Sequence, residues 1–137
     1  MACIAAEQIQ PAADKEAVMA DAKIKMTFDG GEVIILLANN HSAADLLSLL
    51  PLNLSVGDFN NAEKILMPPR TLAGAKSAAD YDPNIGDAAL YAPCGNLAIY
   101  YRDAPYSDGL LYLGKVESGL EALSKVSSNA KIFIEKI

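Results

Sequence analysis

The sequence contains no tryptophan, one histidine and two cysteines among its 137 residues. Cys3 and Cys94 form no C-x-x-C pair and have no histidine partner, so the common zinc and thioredoxin-type motifs are excluded and we predict no metal site. A Cys3–Cys94 bridge stays open, although Cys94 is more typical of a small turn residue. No glycine-rich phosphate loop is present either, and we predict no cofactor.

Positive charge is also scarce, because 11 Lys and Arg residues face 17 Asp and Glu, for a net charge of −6. A surface of that sign repels phosphate backbones, so we expect no nucleic-acid partner. No apolar run approaches the roughly 20 residues that cross a bilayer, so we expect no transmembrane segment. Hydrophobic residues nevertheless make up 52% of the chain, which supports a packed core and excludes a disordered protein.

The chain divides into two parts near residue 22. Residues 1–22 are rich in Ala, Gln and acidic residues, lack regular alternation, and predict a flexible leader or linker. Residues 23–137 then form one domain. The cellular location stays open: Ala2-Cys3 before a polar stretch resembles the acylation site of an exported, lipid-tethered bacterial protein, and a cytoplasmic leader fits as well.

Alternating apolar residues predict strands through most of the domain. Ile24, Met26 and Phe28 form one face of a first strand, and Asp29-Gly30-Gly31 predicts a tight turn after it. The returning strand is apolar almost throughout, so we expect both of its faces to be covered. The predicted strands from there on lie at residues 32–37, 52–56, 65–67, 88–91, 96–101, 110–113 and 131–137, with residues 71–87 irregular.

Two short helices interrupt the strands. The first is predicted from an N-cap at Ser42 to Pro51, and the second over residues 117–123, with Leu120 and Leu123 facing inward. Strands that follow one another without βαβ spacing predict a mostly antiparallel barrel or sandwich. In a barrel, the two helices would cover the open ends.

Several short motifs occur in a fixed order along the domain. They are Asn-Asn at 39–40 before Ala-Ala-Asp-Leu-Leu at 43–47, Leu-Leu-Pro-Leu at 49–52, Glu-Lys-Ile at 63–65 with Pro69, Asp-Tyr-Asp-Pro at 80–83 with Gly-Asp at 86–87, Tyr-Ala-Pro-x-Gly-Asn-Leu-Ala-Ile at 91–99, and Gly-Lys-Val-Glu-Ser-Gly at 114–119. Together they resemble a bacterial cyclophilin-like family over residues 23–137. The resemblance implies a mostly β fold, a closed eight-stranded cyclophilin-like β-barrel with two short helices. It implies no established activity, because that family is largely uncharacterised.

The chain departs from true cyclophilins where catalysis needs specific residues. An isomerase lowers a barrier of about 18–20 kcal/mol with an apolar slot and a donor, usually arginine, to the prolyl nitrogen. The Phe-His-Arg and Gln-Gly-Gly-Asp runs of true cyclophilins are absent, and the single histidine, His41, lies beside a helix start. We therefore predict a non-catalytic module that binds a small molecule or a peptide. The alternative is a weak or divergent peptidyl-prolyl isomerase that uses Arg70 and an apolar pocket near residues 65–67.

The candidate ligand-binding residues are Arg70, Met67, Tyr91, Tyr100 and Tyr101. The planar fork of Arg70 could hold a carboxylate or carbonyl, although an ion pair with one of the many acids explains it equally. Each tyrosine offers a flat apolar face and a hydroxyl for an aromatic or peptide ligand, but barrel strands favour tyrosine anyway. Tyr100 and Tyr101 are expected on opposite faces of their strand.

Other polar residues fit ordinary roles. Residues 80–86 alternate acidic and amide groups but lack the glycine and glutamate positions of a calcium loop, so we predict turn capping. Asp58 and Glu63 could form an acid–base pair, yet a solvated face explains both. Edge strands of an incompletely closed barrel leave a homodimer open.

Overall fold

Nine strands and two α-helices make up the part of the chain that the computed structural model describes, residues 22–77, 79–105 and 107–137. In chain order they are β1 Lys23–Phe28, β2 Gly31–Leu37, α1 His41–Leu49, β3 Leu52–Phe59, β4 Glu63–Leu66, β5 Ala79–Tyr81, β6 Asp87–Tyr91, β7 Asn96–Tyr100, β8 Ser107–Ser118, α2 Leu120–Ser124 and β9 Lys131–Lys136. A 3-10 turn covers Ala75–Ser77.

Eight of these strands form a closed antiparallel barrel. Neighbours pair in the order β2-β1-β9-β3-β4-β7-β6-β8, and β8 pairs again with β2 to complete the ring. The short β5 pairs with the beginning of β8, outside the ring. The predicted fold, a mostly β, closed eight-stranded barrel with two short helices, is therefore confirmed.

The barrel interior contains the apolar face of each strand. Ile24, Met26 and Phe28 are all buried, and Ile132 and Ile134 of β9 are completely enclosed. The expectation for β2 is only half right, because alternate residues such as Ile34 and Leu36 are merely half-buried. One face of a barrel strand fills the interior, whereas the other faces outward and lacks the second helical layer of an α/β fold.

Helix α1 begins earlier than predicted. Its N-cap is Asn40, whose side-chain oxygen accepts a hydrogen bond from the Ala43 amide at 2.9 Å. The Asn40 amide group also donates to the Tyr112 carbonyl at 2.9 Å, which ties the helix start to β8. Ser42, predicted as the cap, is instead buried and donates its hydroxyl proton to the Ala73 carbonyl. The N-cap residue, Asn40, therefore also makes a contact with a distant strand, which the local sequence does not reveal.

The last long strand, β8, was predicted much too short, at residues 110–113. It extends over twelve residues, Ser107–Ser118, because its second half pairs with β2. Helix α2 therefore begins at Leu120 and not at residue 117. Leu123 is fully buried, whereas Leu120 is partly buried against the core.

The two helices lie at opposite ends of the barrel. Helix α1 follows the Leu37 end of β2, whereas α2 packs beside Gly31 at the other end of the same strand. Each helix therefore covers one opening, as expected. We refer to these two openings as the α1 end and the α2 end.

Two expectations fall partly or wholly outside the described residues. The leader is described only at residue 22, so the division into leader and domain stays a prediction. Cys94 lies in the turn between β6 and β7, whereas Cys3, the other half of the bridge considered above, is outside the described residues. Within the described ranges, no helix is both long and apolar enough to cross a membrane.

Candidate functional site

A row of side chains crosses the outside of the barrel near its α2 end. Phe59 of β3 pairs with Glu63 of β4, and Glu63 pairs with Tyr100 of β7. The register between β7 and β6 then places Asp87 next to Tyr100, and Asp87 pairs with Lys115 of β8. Because side chains alternate across a strand, all five point away from the core. We call this row the outer face.

A small apolar cluster lies against the same side of the barrel. Its buried members are Ala62, Ala89, Ala98, Tyr100, Ala104 and Leu110, and Tyr91 packs against them. The short alanine side chains of β6 and β7 let the segment after β7, which contains Ala104, lie close over the sheet. Two of the predicted ligand-binding residues, Tyr91 and Tyr100, are therefore brought together here.

Glu63 and Tyr100 carry polar groups that the fold does not satisfy. Tyr100 is only 4% exposed, and Glu63 is half-buried. Among the described residues, neither the Glu63 carboxyl nor the Tyr100 hydroxyl has a hydrogen-bond or ion-pair partner. Leaving a buried polar group unpaired costs about 1–3 kcal/mol. The aromatic ring of Phe59 beside them is 46% exposed, so this part of the face can be reached from solvent.

Burial changes the acidity of both groups. It raises the pKa of Glu63 to about 7, and the negative charge of Asp58 adds to that rise. The pKa of Tyr100 is also raised, first by burial and then by the charges of Glu63, Asp87 and Tyr91. The phenol is therefore neutral at physiological pH. The Glu63 carboxyl changes its charge near neutrality, so it can present either an acceptor or a donor to a bound group.

We expect Glu63→Gln to alter how stability depends on pH. The folded-state pKa of Glu63, about 7, lies above the ordinary value of 4.5, so the folded protein holds this proton more tightly than the unfolded chain. The resulting stability is fully present below the unfolded pKa and is lost as the pH rises through about 7. The variant should therefore melt higher than the wild type at about pH 8 and close to it at about pH 4.

Thermal unfolding followed by circular dichroism at a series of pH values measures this difference. The matched control is Glu135→Gln on β9, whose carboxylate lies 3.9 Å from the Lys25 ammonium on another part of the barrel surface. A gap between wild type and Glu63→Gln that stays constant with pH would contradict a raised Glu63 pKa.

A second polar cluster closes the α2 end from inside the barrel. The Lys64 ammonium, on a side chain 4% exposed, donates to the Val126 carbonyl at 2.7 Å and lies 3.5 Å from the Asp58 carboxylate. The Tyr101 hydroxyl donates to the same carboxylate oxygen at 2.6 Å. Burial, followed by this hydrogen bond, raises the pKa of Tyr101 to about 12. The Arg102 guanidinium lies 5.3 Å from the centre of the Tyr101 ring. Since its groups are partnered, we read this cluster as structural.

Arg70 lies at the other end of β4 and holds α1 in place. Its guanidinium donates to both carboxylate oxygens of Asp45, at 2.6 and 2.9 Å. Asp45 also accepts the Ala73 amide hydrogen at 2.7 Å. The Arg70 hydrogen bond is the largest influence on the Asp45 carboxyl and holds its pKa below the usual value. The ion pair considered from the sequence is thus present, and its partner is a helix residue 25 positions away.

The five predicted ligand-binding residues therefore do not form one site. Tyr100 lies on the outer face, Tyr91 packs against the same apolar cluster as Tyr100, and Tyr101 belongs to the cluster inside the α2 end. Arg70 and Met67, which is 54% exposed, follow β4 at its α1 end. Tyr100 and Tyr101 do face different surroundings, although β7 ends at Tyr100 and Tyr101 is the residue after it.

Sequence reasoning missed Phe59 and placed Asp58 and Glu63 on a solvated face, which is incorrect. Asp58 is engaged inside the barrel, and Glu63 is half-buried beside Tyr100. The missed signal is the pair Asn60-Asn61, whose φ angles are +55° and +53°. Asparagine tolerates this left-handed region, so the pair marks a tight turn. Such a turn sets Phe59 directly opposite Glu63.

A surface depression of about 530 Å³ lies elsewhere, beside α2. It is lined by Asp29, Gly30, Glu121, Ala122, Lys125 and Val126. None of the predicted site residues lines it, and both Glu121 and Lys125 extend into solvent. In the part of the chain that the structure describes, no three His, Cys, Asp or Glu residues are placed to hold a metal ion.

A closed eight-stranded antiparallel barrel with two short helices is the architecture that the resemblance to cyclophilin-like proteins implied. The chain belongs to the Cyclophilin-like family, whose model matches residues 26–135. No curated protein matches it in sequence. The fold is similar to the solution structure of a hypothetical protein from Archaeoglobus fulgidus, with 12% identity, a TM-score of 0.72, and coverage of 92% of this chain and 100% of that one. At such low identity the likeness concerns the fold alone.

Proposed function

We propose that this domain is a non-catalytic binding module that takes a small molecule or a peptide segment on the outer face, at Phe59, Glu63 and Tyr100. One observation carries the proposal. A half-buried carboxyl and a buried phenol hydroxyl lie side by side without hydrogen-bond partners among the described residues, next to an exposed aromatic ring. Buried polar groups in native proteins are normally paired. A ligand that donates hydrogen bonds to this pair and covers the ring supplies what the fold lacks.

The contacts around β4 favour binding over prolyl isomerisation. The isomerase alternative needs Arg70 as a donor beside an apolar slot, but both of its terminal nitrogens already donate to Asp45. Arg70 also ties the segment after β4 to α1, which is a structural role. None of the five residues that define the outer face is an arginine that could donate to a prolyl nitrogen.

Nuclear magnetic resonance titration with small fragments tests the proposal on the whole chain. The fragments share a phenyl ring and carry an ammonium, a carboxylate or a hydroxyl group, so the test does not presuppose the ligand's charge. At least one class should shift the amide signals of residues 57–65 and 96–102 more than those of the rest of the barrel. Phe59→Ala should weaken that binding several-fold, because burying one aromatic ring contributes about 1.5–3 kcal/mol when complete.

The control for Phe59 is Phe133→Ala on β9. Phe133 is also an exposed strand phenylalanine, with 37% exposure against 46% for Phe59. Its removal should leave fragment binding unchanged. Equal losses in the two variants, shifts confined to the depression beside α2, or no binding by any fragment would each contradict the proposal.

A further inference from the structure

We infer that the ligand of the outer face carries an ammonium group on an apolar body. The inference rests on the proposed function and adds the chemical class of what binds there. It follows from the polar groups that the face leaves unsatisfied, from the engagement of every nearby cation in the described residues, and from the aromatic ring next to them.

Both unsatisfied groups can accept hydrogen bonds. A Glu63 carboxylate accepts through both oxygens, and the Tyr100 hydroxyl oxygen beside it can accept as well as donate. Cross-strand partners of this kind have Cβ atoms about 4.5–5.5 Å apart, so one small group can contact both. An ammonium has three donor hydrogens and no acceptor, which matches this pair.

The cations around Glu63 are committed to other partners. Lys64 points into the barrel, where the Val126 carbonyl and Asp58 hold it. The Lys115 ammonium donates to the Ile85 carbonyl and to Asp87, each at 3.1 Å. Arg102 donates to the Asn61 carbonyl at 3.0 Å. The positive charge that Glu63 lacks must therefore come from outside the described part of the chain.

The aromatic ring of Phe59 also favours a cationic ligand. The face of an aromatic ring attracts a cation within about 6 Å, and this adds about 0.5–1 kcal/mol at an exposed site. Phe59 presents such a ring directly across from Glu63. Gly57, two residues earlier on the same side of β3, has no side chain, and a Cβ atom there would approach only the Ile65 carbonyl oxygen, at 3.9 Å. The surface beside the ring is thus open to the apolar body of a ligand.

The charges around Glu63 disfavour an anionic ligand. Asp58 of β3 and Asp87 of β6 are acidic, and Tyr100 of β7 is neutral. The cations nearby are held by other groups: Lys64 lies inside the barrel beside Asp58, Lys115 donates to Asp87, and Arg102 donates to the Asn61 carbonyl. Burial and the Asp58 charge already make a negative Glu63 costly. An ammonium next to Glu63 offsets that cost, whereas a carboxylate would add to it.

Calorimetric titration of the wild type with phenethylamine, phenylpropionate and phenethyl alcohol tests the ligand class. At about pH 8 we expect phenethylamine to bind most tightly, and its affinity to fall at about pH 5, where Glu63 is protonated and the amine is still charged. Glu63→Gln should weaken phenethylamine at least about tenfold, as the loss of one charge-assisted hydrogen bond predicts. Glu135→Gln should leave the affinity unchanged. Because amine binding ionises Glu63, it should also release protons near neutral pH.

An acetylated Ala-Lys-Phe amide peptide separates the two sources of an ammonium. If the peptide binds more tightly than phenethylamine and loses affinity in Glu63→Gln, the ligand is a lysine side chain; the reverse order indicates a free amine. Tighter binding of phenylpropionate or of the alcohol on this face, or an unchanged amine affinity in Glu63→Gln, overturns the inference while the proposed binding face stands. If no probe shifts residues 57–65 and 96–102, the proposed function falls as well.

Discussion

Replacing Gly119 by alanine should prevent the barrel from closing and cost more than about 4 kcal/mol, a large part of the about 5–15 kcal/mol that holds a domain folded. Gly119 lies between β8 and α2 with a φ of +89°. A Cβ atom there would overlap the Glu32 carbonyl oxygen and come within 3.0 Å of the Val33 Cα. Both neighbours are backbone atoms of β2, so they can move only if β2 separates from β8. Urea unfolding followed by circular dichroism measures the loss.

The matched control is Gly30→Ala in the turn between β1 and β2. Gly30 also has a positive φ, +110°, but a Cβ atom there would have no neighbour within 4 Å. Its replacement should cost only the backbone strain, about 1–2 kcal/mol. If the two variants lose the same stability, strain and not the contact with Glu32 explains the effect at Gly119.

The motif at residues 114–119 could be recognised from the sequence, but the structural role of its glycines could not. Gly114 and Gly119 both lie where β8 meets β2, and a Cβ atom at Gly114 would overlap the Leu36 carbonyl oxygen. The family resemblance pointed to these residues, but the alternation of nearby residues predicted a short strand and an early helix. The pairing of β8 with β2 joins segments about 80 residues apart, and local patterns carry no record of it.

The parts of the fold that follow from local chemistry were predicted well. Alternation placed Ile24, Met26 and Phe28 on one buried face, and Asp29-Gly30-Gly31 marked the first turn. Short β5 was missed within the stretch expected to be irregular, because its pairing depends on β8. Local sequence patterns therefore predict which residues of most strands face inward. They do not predict strands whose extent depends on pairing with a distant strand.

The candidate site could be predicted only in part, for a related reason. Tyr91 of β6 and Tyr100 of β7 were predicted to bind a ligand, and the structure places both in one apolar cluster. Glu63 was expected on a solvated face because its neighbours in the sequence do not reveal that it pairs with Tyr100. Tyr100 belongs to another strand, β7. Similarly, the partner of Arg70 could not be chosen among 17 acidic residues until α1 was placed.

Asp58→Asn is the second substitution with a large expected effect, because it leaves the Lys64 ammonium buried without its counter-charge. The Lys64 side chain is 4% exposed and that of Asp58 21%. Removing one partner of a buried ion pair costs about 3–5 kcal/mol, and the partial exposure of Asp58 places the expected loss near the lower limit, about 3 kcal/mol. The hydrogen bond from Lys64 to Val126 stays, but it does not neutralise the charge. Thermal and urea unfolding measure the loss.

The double variant Asp58→Asn with Lys64→Met separates the charge from the packing. Once the ammonium is gone, no buried charge is left unpaired, so the double variant should be more stable than the sum of the two single losses predicts. Strictly additive losses, or a loss below about 1 kcal/mol in Asp58→Asn as at an exposed ion pair, would contradict a buried pair.

The single variant Asp58→Asn also tests the outer face, since the Asp58 charge helps to raise the pKa of Glu63. In Asp58→Asn the Glu63 carboxyl should therefore ionise at lower pH, and amine binding should persist to lower pH. The cluster inside the α2 end and the outer face are thus connected through one carboxylate.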